Sequence, residues 1–176
     1  KLVGDILDIS ILDSEVEIKH NAVDVNACCQ ASIDAAGASF DPGVRLIFEP
    51  ACDELIINSN YNYIVQVLDN LLGNASKFTH EGSVTLAYEV KKEENQLIFT
   101  VTDTGIGIPR NEQKGLFHTY FRGSNAINLR VSGSGIGLAL VHRLVRLHGG
   151  KITIESTAEH GTLVRIIFPQ GDKHFP

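Results

Sequence analysis

Methionine and tryptophan are absent from the sequence, cysteine occurs only three times, and no apolar run is long enough to form a membrane span. A spanning helix needs about 18–20 consecutive apolar residues, which excludes a transmembrane segment in this sequence. The cysteine count is odd, and Cys28 and Cys29 are adjacent. This spacing favours reduced thiols over disulfides or a zinc site, so we expect a cytoplasmic domain.

Basic charge is scarce as well. The formal net charge is −6, and no basic cluster is interleaved with aromatic residues, which argues against a nucleic-acid-binding surface. The P-loop pattern Gly-x-x-x-x-Gly-Lys-Ser/Thr is missing, and Leu138 stands where a dinucleotide fingerprint needs its third glycine. The His-Arg-Asp and Asp-Phe-Gly signatures of eukaryotic-type protein kinases are missing too. With 176 residues, 43% of them hydrophobic, the chain can still bury one sizeable core.

A row of polar side chains runs along an otherwise apolar predicted helix. Asn70, Asn74 and Lys77 stand at positions i, i+4 and i+7 and therefore share one face. The other face follows the 3.6-residue period with Ile64, Val67, Leu68, Leu71, Leu72 and Ala75. Amide oxygens suit a hard cation such as Mg²⁺, and a lysine neutralises phosphate charge. The row indicates a site for a metal ion and a polyphosphate, with a solvated helix face as the alternative.

Two glycine-rich segments support that interpretation. Asp103 ends an alternating strand pattern and is followed by Thr-Gly-Ile-Gly-Ile-Pro, a turn that lets a ligand approach the backbone closely. Residues 133–138 read Gly-Ser-Gly-Ile-Gly-Leu and open a helical run, where free amide N–H groups bind phosphate. Each segment alone predicts no more than a turn. Together and in this order, however, the segments strongly indicate a site that binds phosphate.

These segments resemble the ATP-binding domain of sensor histidine kinases, part of the superfamily shared with DNA gyrase and mismatch-repair ATPases. The resemblance covers nearly the whole chain in five motifs that follow the family's order. They are the N box at 69–79, the G1 box at 103–109, the F box at 116–122, the G2 box at 133–138 and the closing Gly-Thr at 161–162. His118 departs from the family pattern, which has an acidic residue there, and Asn60 replaces a usual aspartate.

The resemblance implies ATP and Mg²⁺ as ligands and a role for each matched residue. Asn74 matches the Mg²⁺-ligating asparagine, and Asn70 matches its partner one turn earlier. Lys77 matches a phosphate-contacting lysine, and Phe78 matches the aromatic residue that packs on adenine. Asp103 matches the carboxylate that accepts the adenine amino hydrogen. The other implied ATP-binding residues are Gly105, Gly107 and Ile108 around the base, Gly133, Gly135, Gly137 and Leu138 at the lid hinge, Arg122 at the phosphates or the partner domain, and Thr162 as a hydroxyl that assists the carboxylate.

Periodicity predicts an α+β fold. The expected helices are 24–38, 61–76, a short one starting at Pro109, and 135–148, with a lid at 117–134. The expected strands are 15–19, 44–48, 54–57, 83–91, 96–103, 151–156 and 162–168. Helices on one face of a mainly antiparallel sheet give a two-layer sandwich, which is the Bergerat-type fold that the resemblance implies.

Three segments are expected along the chain. Residues 1–13 resemble the end of a dimerisation-domain helix, 14–169 form the ATP-binding domain, and 170–176 form a tail. None of the seven histidines stands in the His-Glu-x-Arg-Thr-Pro-like context of a phosphoacceptor. The first residue is lysine and methionine is absent, so we expect a fragment without a complete catalytic set.

The function implied by the resemblance is that of a protein-histidine kinase domain. It would present the γ-phosphate of ATP to a histidine on its own dimerisation domain, for onward transfer to a response-regulator receiver domain. The full-length protein is expected to be a homodimeric, membrane-anchored sensor. Three alternatives remain open: an anti-sigma-factor-like serine kinase, a pseudokinase scaffold, and a β-rich domain whose glycine turns are only structural.

Overall fold

The computed structural model describes residues 19–124, 127, 131 and 133–169. The predicted helix at 1–13, most of the predicted strand at 15–19 and the tail at 170–176 lie outside this part. The elements, in chain order, are β1 (Asn21–Asp24), α1 (Val25–Gly37), β2 (Val44–Glu49), β3 (Ile56–Ser59), α2 (Tyr61–Phe78), β4 (Gly82–Lys91), β5 (Gln96–Asp103), a 3₁₀ helix (Gln113–Gly115), α3 (Gly137–Leu147), β6 (Lys151–Ser156) and β7 (Thr162–Pro169).

A five-stranded sheet in the order β2-β4-β5-β7-β6 forms one layer. β2 pairs with β4 in parallel, and the other neighbouring strands of this sheet pair antiparallel. Alternate residues of its central strands face the helices and are buried, as Val84, Leu86 and Tyr88 of β4 illustrate. β1 and β3 form a separate antiparallel pair. The predicted α+β sandwich with a mainly antiparallel sheet is confirmed.

Helix α2 packs on the sheet through the face that its periodicity predicts. All six apolar residues of the predicted stripe are buried. Asn60 caps the helix, since its Oδ1 accepts a hydrogen bond of 3.2 Å from the Tyr63 N–H. The buried face therefore fixes the rotation of α2, and this rotation sets the direction of the polar row.

The far end of α3 carries a half-buried imidazole. His148 Nδ1 lies 2.9 Å from the Leu144 carbonyl, so it carries the proton and donates. Ring centroids of His20, Tyr63 and Phe168 lie 5.9, 5.8 and 5.4 Å from that of His148. Burial lowers the pKa of His148, the hydrogen bond to Leu144 opposes that shift, and the nearby His20 adds to it.

The predicted strand at 15–19 has one described residue, Lys19, which precedes the first strand of the described chain at Asn21. One local prediction was wrong. Pro109 begins no helix: the Glu112 N–H bonds back to the Pro109 carbonyl at 2.9 Å, and the Gln113 side chain occupies the Ile108 carbonyl at 3.0 Å. Because that carbonyl is taken, the chain turns and forms only the short 3₁₀ helix. Among the described residues no helix is both long and apolar enough to cross a membrane.

Candidate functional site

A cavity of about 310 Å³ lies between α2, the end of β5 and the glycine-rich segment that leads into α3. All of the sequence-predicted site residues except Gly105 line it: Asn70, Asn74, Lys77, Phe78, Asp103, Gly107, Ile108, Arg122, Gly133, Gly135, Gly137, Leu138 and Thr162. Apolar side chains such as Val101, Ile106, Ile154 and Val164 complete the lining. The fold thus brings together residues that are far apart in sequence.

The polar row of α2 forms one wall of this cavity. Asn70 donates its Nδ2–H to the Gln66 carbonyl at 2.9 Å, which turns its Oδ1 away from its own helix. That oxygen lies close to α3, since a methyl group on Gly137 would be 2.6 Å from it. Lys77 reaches the same region, because its Nζ lies 4.0 Å from the point where a Gly133 side chain would begin. The row therefore faces the glycine-rich segment across the cavity.

The opposite wall is the beginning of α3. Gly137 and Leu138, the first two helical residues, line the cavity. Ile136 occupies the N-cap position, and its side chain has no atom that could accept from the first N–H groups. Free N–H groups and the positive end of the helix dipole at such a position attract anions. The two walls therefore offer an ammonium group and a helix N-terminus to a negatively charged ligand.

Asp103 lies at the floor of the cavity and is held by the backbone. Its Oδ1 accepts hydrogen bonds from the N–H groups of Gly105 at 2.9 Å and Thr162 at 3.2 Å. Burial raises the pKa of the Asp103 carboxyl, and these two hydrogen bonds oppose the rise. The backbone thus fixes one carboxylate oxygen, which leaves Oδ2 as the oxygen for a ligand.

The two G1 glycines permit close backbone contacts beneath the site. A Cβ at Gly105 would lie 2.2 Å from the Phe78 carbonyl oxygen, and the next residue, Ile106, donates its N–H to that same carbonyl at 3.1 Å. Gly107 has φ +62°, and a Cβ there would lie 2.0 Å from the Thr157 carbonyl oxygen. Gly105 therefore contributes by letting the G1 turn approach α2, although it does not line the cavity.

Sequence reasoning missed a hydrogen-bonded cluster behind the floor. The Ser156 hydroxyl accepts from the Ile108 N–H at 2.8 Å and lies 2.9 Å from the Thr162 hydroxyl. Gln113 Nε2 donates to the carbonyls of Ile108 at 3.0 Å and Ser156 at 2.8 Å. Ser156 pairs with Thr162 in the β6–β7 hairpin. This pairing of two predicted strands was the signal that could have revealed Ser156.

A second missed residue, Glu112, supports the start of the lid. Its carboxylate lines the cavity and accepts from the Ser124 N–H at 3.0 Å and from the Ser124 hydroxyl. Arg122 donates from Nη2 to the Val131 carbonyl, so its guanidinium joins the two ends of the lid. Residues 125–126, 128–130 and 132 of the predicted lid, which include Asn125, Asn128 and Arg130, lie outside the described part of the chain.

Comparison with known proteins identifies the family of the chain. The family model of histidine kinase-, DNA gyrase B- and HSP90-like ATPases matches residues 59–172. The sensor histidine kinase WalK of Bacillus subtilis (strain 168) is 31% identical over 171 residues, which is 96% of this chain and 28% of WalK. The chain thus spans about a quarter of the length of this curated relative.

Solved structures show the same fold. Full-length ShkA in complex with AMPPNP superposes with a TM-score of 0.82 at 24% identity, over 98% of this chain and 36% of ShkA. The catalytic domain of histidine kinase ThkA, in a nucleotide-free form, superposes with a TM-score of 0.71 at 21% identity, over 88% of this chain and 97% of that domain.

The chain belongs to the family of histidine kinase-, DNA gyrase B- and HSP90-like ATPases. Within that family it is homologous to the catalytic, ATP-binding domain of sensor histidine kinases.

Proposed function

We propose that the cavity holds ATP with Mg²⁺ and that the domain presents the γ-phosphate to a histidine of a dimerisation domain in the same kinase. The observation that carries this proposal is the arrangement of the cavity. A half-buried carboxylate, held by two backbone N–H groups, lies at the floor, and the amide row and the α3 N-terminus form the walls.

The base is assigned to the floor. Asp103 Oδ2 accepts the adenine amino hydrogen, and Phe78 packs on the ring. Thr162, Gly107 and Ile108 complete this end of the cavity. Adenine carries an amino donor where guanine carries a carbonyl acceptor, so a carboxylate at this position selects adenine.

The metal and the phosphates are assigned to the walls. Mg²⁺ takes hard oxygen ligands and is usually held by few protein groups together with substrate phosphates. The residues fit this ion, because the Asn70 amide nitrogen is bound to the helix backbone and its oxygen is turned outward. Asn74 lies one turn further along the same wall. Lys77, the glycines at 133, 135 and 137, Leu138 at the start of α3, and Arg122 would surround the phosphates.

The residues of this chain then act by positioning and charge stabilisation, as phosphoryl transfer generally requires. The apolar lining excludes water from the base, and the ammonium and N–H groups stabilise phosphate charge. The accepting histidine comes from the dimerisation domain, and a response-regulator receiver domain receives the phosphoryl group afterwards. In this proposal the parent protein is a homodimeric, membrane-anchored sensor with this domain on the cytoplasmic side.

Calorimetric titration with a non-hydrolysable ATP analogue, with and without Mg²⁺, tests the proposed site. We expect binding that strengthens with Mg²⁺ and is lost in Asp103→Ala. The matched control is Asp53→Ala, which removes an exposed carboxylate of the same charge. We also expect no acid-labile phosphohistidine on this chain alone after incubation with ATP. A folded wild-type chain that binds no analogue, or binds equally well after loss of Asp103, would refute the proposal.

A further inference from the structure

Ser156 lies directly behind the floor of the cavity and does not itself line it within the described part of the chain. Its hydroxyl makes three short contacts: the Ile108 N–H at 2.8 Å, the Gly161 carbonyl at 2.8 Å and the Thr162 hydroxyl at 2.9 Å. Its carbonyl accepts from Gln113 Nε2 at 2.8 Å. These contacts fix both the position and the proton arrangement of the side chain.

The proton of each hydroxyl can be assigned from these contacts. A serine hydroxyl has one hydrogen to donate and two lone pairs that accept. The Ile108 N–H uses one lone pair. The Gly161 carbonyl can only accept, so the Ser156 hydroxyl donates its one hydrogen to that carbonyl. The contact with Thr162 must then use the second lone pair of Ser156, and Thr162 is therefore the donor in that contact.

This assignment decides what Thr162 offers to the cavity. Its only hydroxyl hydrogen points backward to Ser156, so Thr162 Oγ1 presents lone pairs toward the ligand. Asp103 next to it is a carboxylate that only accepts, and its Oδ1 already receives two N–H groups. The polar floor beneath the base therefore consists of acceptors.

We propose that Ser156 determines base specificity by holding the Thr162 proton away from the cavity, which keeps the floor acceptor-only. Such a floor binds a base edge that carries an amino group and rejects an edge that carries a carbonyl. Ser156 is thus a positioning residue that acts through Thr162. This inference rests on the proposed function, because it assumes that a nucleotide base occupies the floor of the cavity.

Adenine and hypoxanthine form a suitable pair of probes. They have nearly the same shape, but hypoxanthine has a carbonyl where adenine has its amino group, and an N1–H where adenine has an unprotonated nitrogen. In the wild type that carbonyl faces only acceptors. In Ser156→Ala the Thr162 hydroxyl loses its partner, can rotate and can donate to the carbonyl. The variant should therefore tolerate hypoxanthine better relative to adenine.

The experiment is calorimetric titration of ADP and of IDP, each with Mg²⁺, on the wild-type chain and on variants. The wild type should prefer ADP. Ser156→Ala should narrow the ratio of the two dissociation constants by about tenfold, as expected when a mismatched buried acceptor gains a donor. Ser156→Thr retains a hydroxyl and should restore the wild-type ratio.

Gln113→Ala is the matched control. It removes the hydrogen bonds to the Ile108 and Ser156 carbonyls and takes away none of the three partners of the Ser156 hydroxyl. A merely structural loosening should weaken ADP and IDP binding together and leave the ratio unchanged. Thr162→Val is a second test, which also serves if Ser156→Ala fails to fold: it removes the lone pairs and should narrow the ratio as well. Adding Ser156→Ala to Thr162→Val should then change the ratio no further.

The outcomes separate the two proposals. If the folded wild type binds neither nucleotide, the proposed function itself is overturned. If the wild type prefers ADP but Ser156→Ala keeps the wild-type ratio, the role of Ser156 is overturned and ATP binding stands. A shift of the ratio in Gln113→Ala as large as that in Ser156→Ala would likewise overturn it, because the effect would then reflect loop position.

Discussion

Replacing Asp103 with asparagine should reverse the base preference of the cavity. Asparagine has the same shape but only one oxygen. The N–H groups of Gly105 and Thr162, which bond Oδ1 at 2.9 and 3.2 Å, require an acceptor at that position. They should hold the amide oxygen there and place the amide nitrogen where Oδ2 lies now. The variant would present two hydrogens to a base that meets a carboxylate in the wild type.

The size of the effect follows from the hydrogen bond that is lost. A hydrogen bond to a charged acceptor contributes about 1.5–3 kcal/mol, so the affinity for ADP should fall about 10- to 150-fold. The affinity for IDP should rise, because its carbonyl meets a donor. Calorimetry with both nucleotides on Asp103→Asn measures this directly. Asp53→Asn, which removes the same charge at an exposed position, should change neither affinity.

The same substitution should also stabilise the nucleotide-free domain near neutral pH. Burial raises the pKa of Asp103, so its charged form is less favourable in the folded than in the unfolded chain. This penalty is complete above the folded pKa and disappears as the pH falls below about 4, the ordinary carboxyl value. The difference in urea midpoint between Asp103→Asn and wild type should therefore shrink on acidification.

The nucleotide titrations contain the result that would refute the reasoning. If folded Asp103→Asn loses affinity for ADP and for IDP to the same extent, its amide nitrogen does not face the base.

Three further predictions concern packing, acid sensitivity and thiol chemistry. Gly105→Ala should abolish nucleotide binding and destabilise the domain by more than about 1 kcal/mol, because its Cβ would lie 2.2 Å from the Phe78 carbonyl oxygen. Gly37→Ala, with no atom within 4 Å of the new methyl group, should bind normally in the same titration. The free energy of unfolding, measured with urea, should decrease as the pH falls from about 7 to about 5.5. Burial lowers the pKa of His148 in the folded chain, so His148 is protonated first in the unfolded chain, which favours unfolding. The decrease should be smaller in His148→Phe, which has no imidazole at this position. An aromatic disulfide reagent should label the exposed Cys52 quickly in the native protein. Cys28 and Cys29 of α1 are buried, and burial raises the pKa of each thiol to about 12, so both should react only after unfolding. Fast labelling of all three would contradict their burial.

Helix α2 shows how far sequence reasoning reaches. Its apolar stripe and its polar row both follow the 3.6-residue period, and the hydrophobic effect alone decides which side is buried. The period of this one helix is therefore enough to predict that Asn70, Asn74 and Lys77 lie on the same wall of the cavity. The position of Asp103 followed in the same way from the period-two pattern of β5, which ends at that residue.

Ser156 shows where such reasoning stops. Its importance depends on the Ile108 N–H, 48 residues away in sequence, and on a turn that brings the two chains together. The same holds for Gln113, whose side chain occupies the Ile108 carbonyl and so prevents the helix that Pro109 predicts. Hydrogen bonds between distant residues leave no periodic trace in a sequence, and neither does the parallel pairing of β2 with β4.

His148 contacts residues near both ends of the described chain. His20 stacks on this imidazole where the described chain enters, and Phe168 packs against it one residue before the described chain leaves. The cavity lies at the opposite end of α3, whose 11 residues span about 16 Å. A rotation of about 10° about the His148 end would therefore move the cavity end of the helix by about 3 Å. Under the proposed function, such a rotation would be enough to bring a bound γ-phosphate within reach of an acceptor or to withdraw it, with no rearrangement inside the cavity.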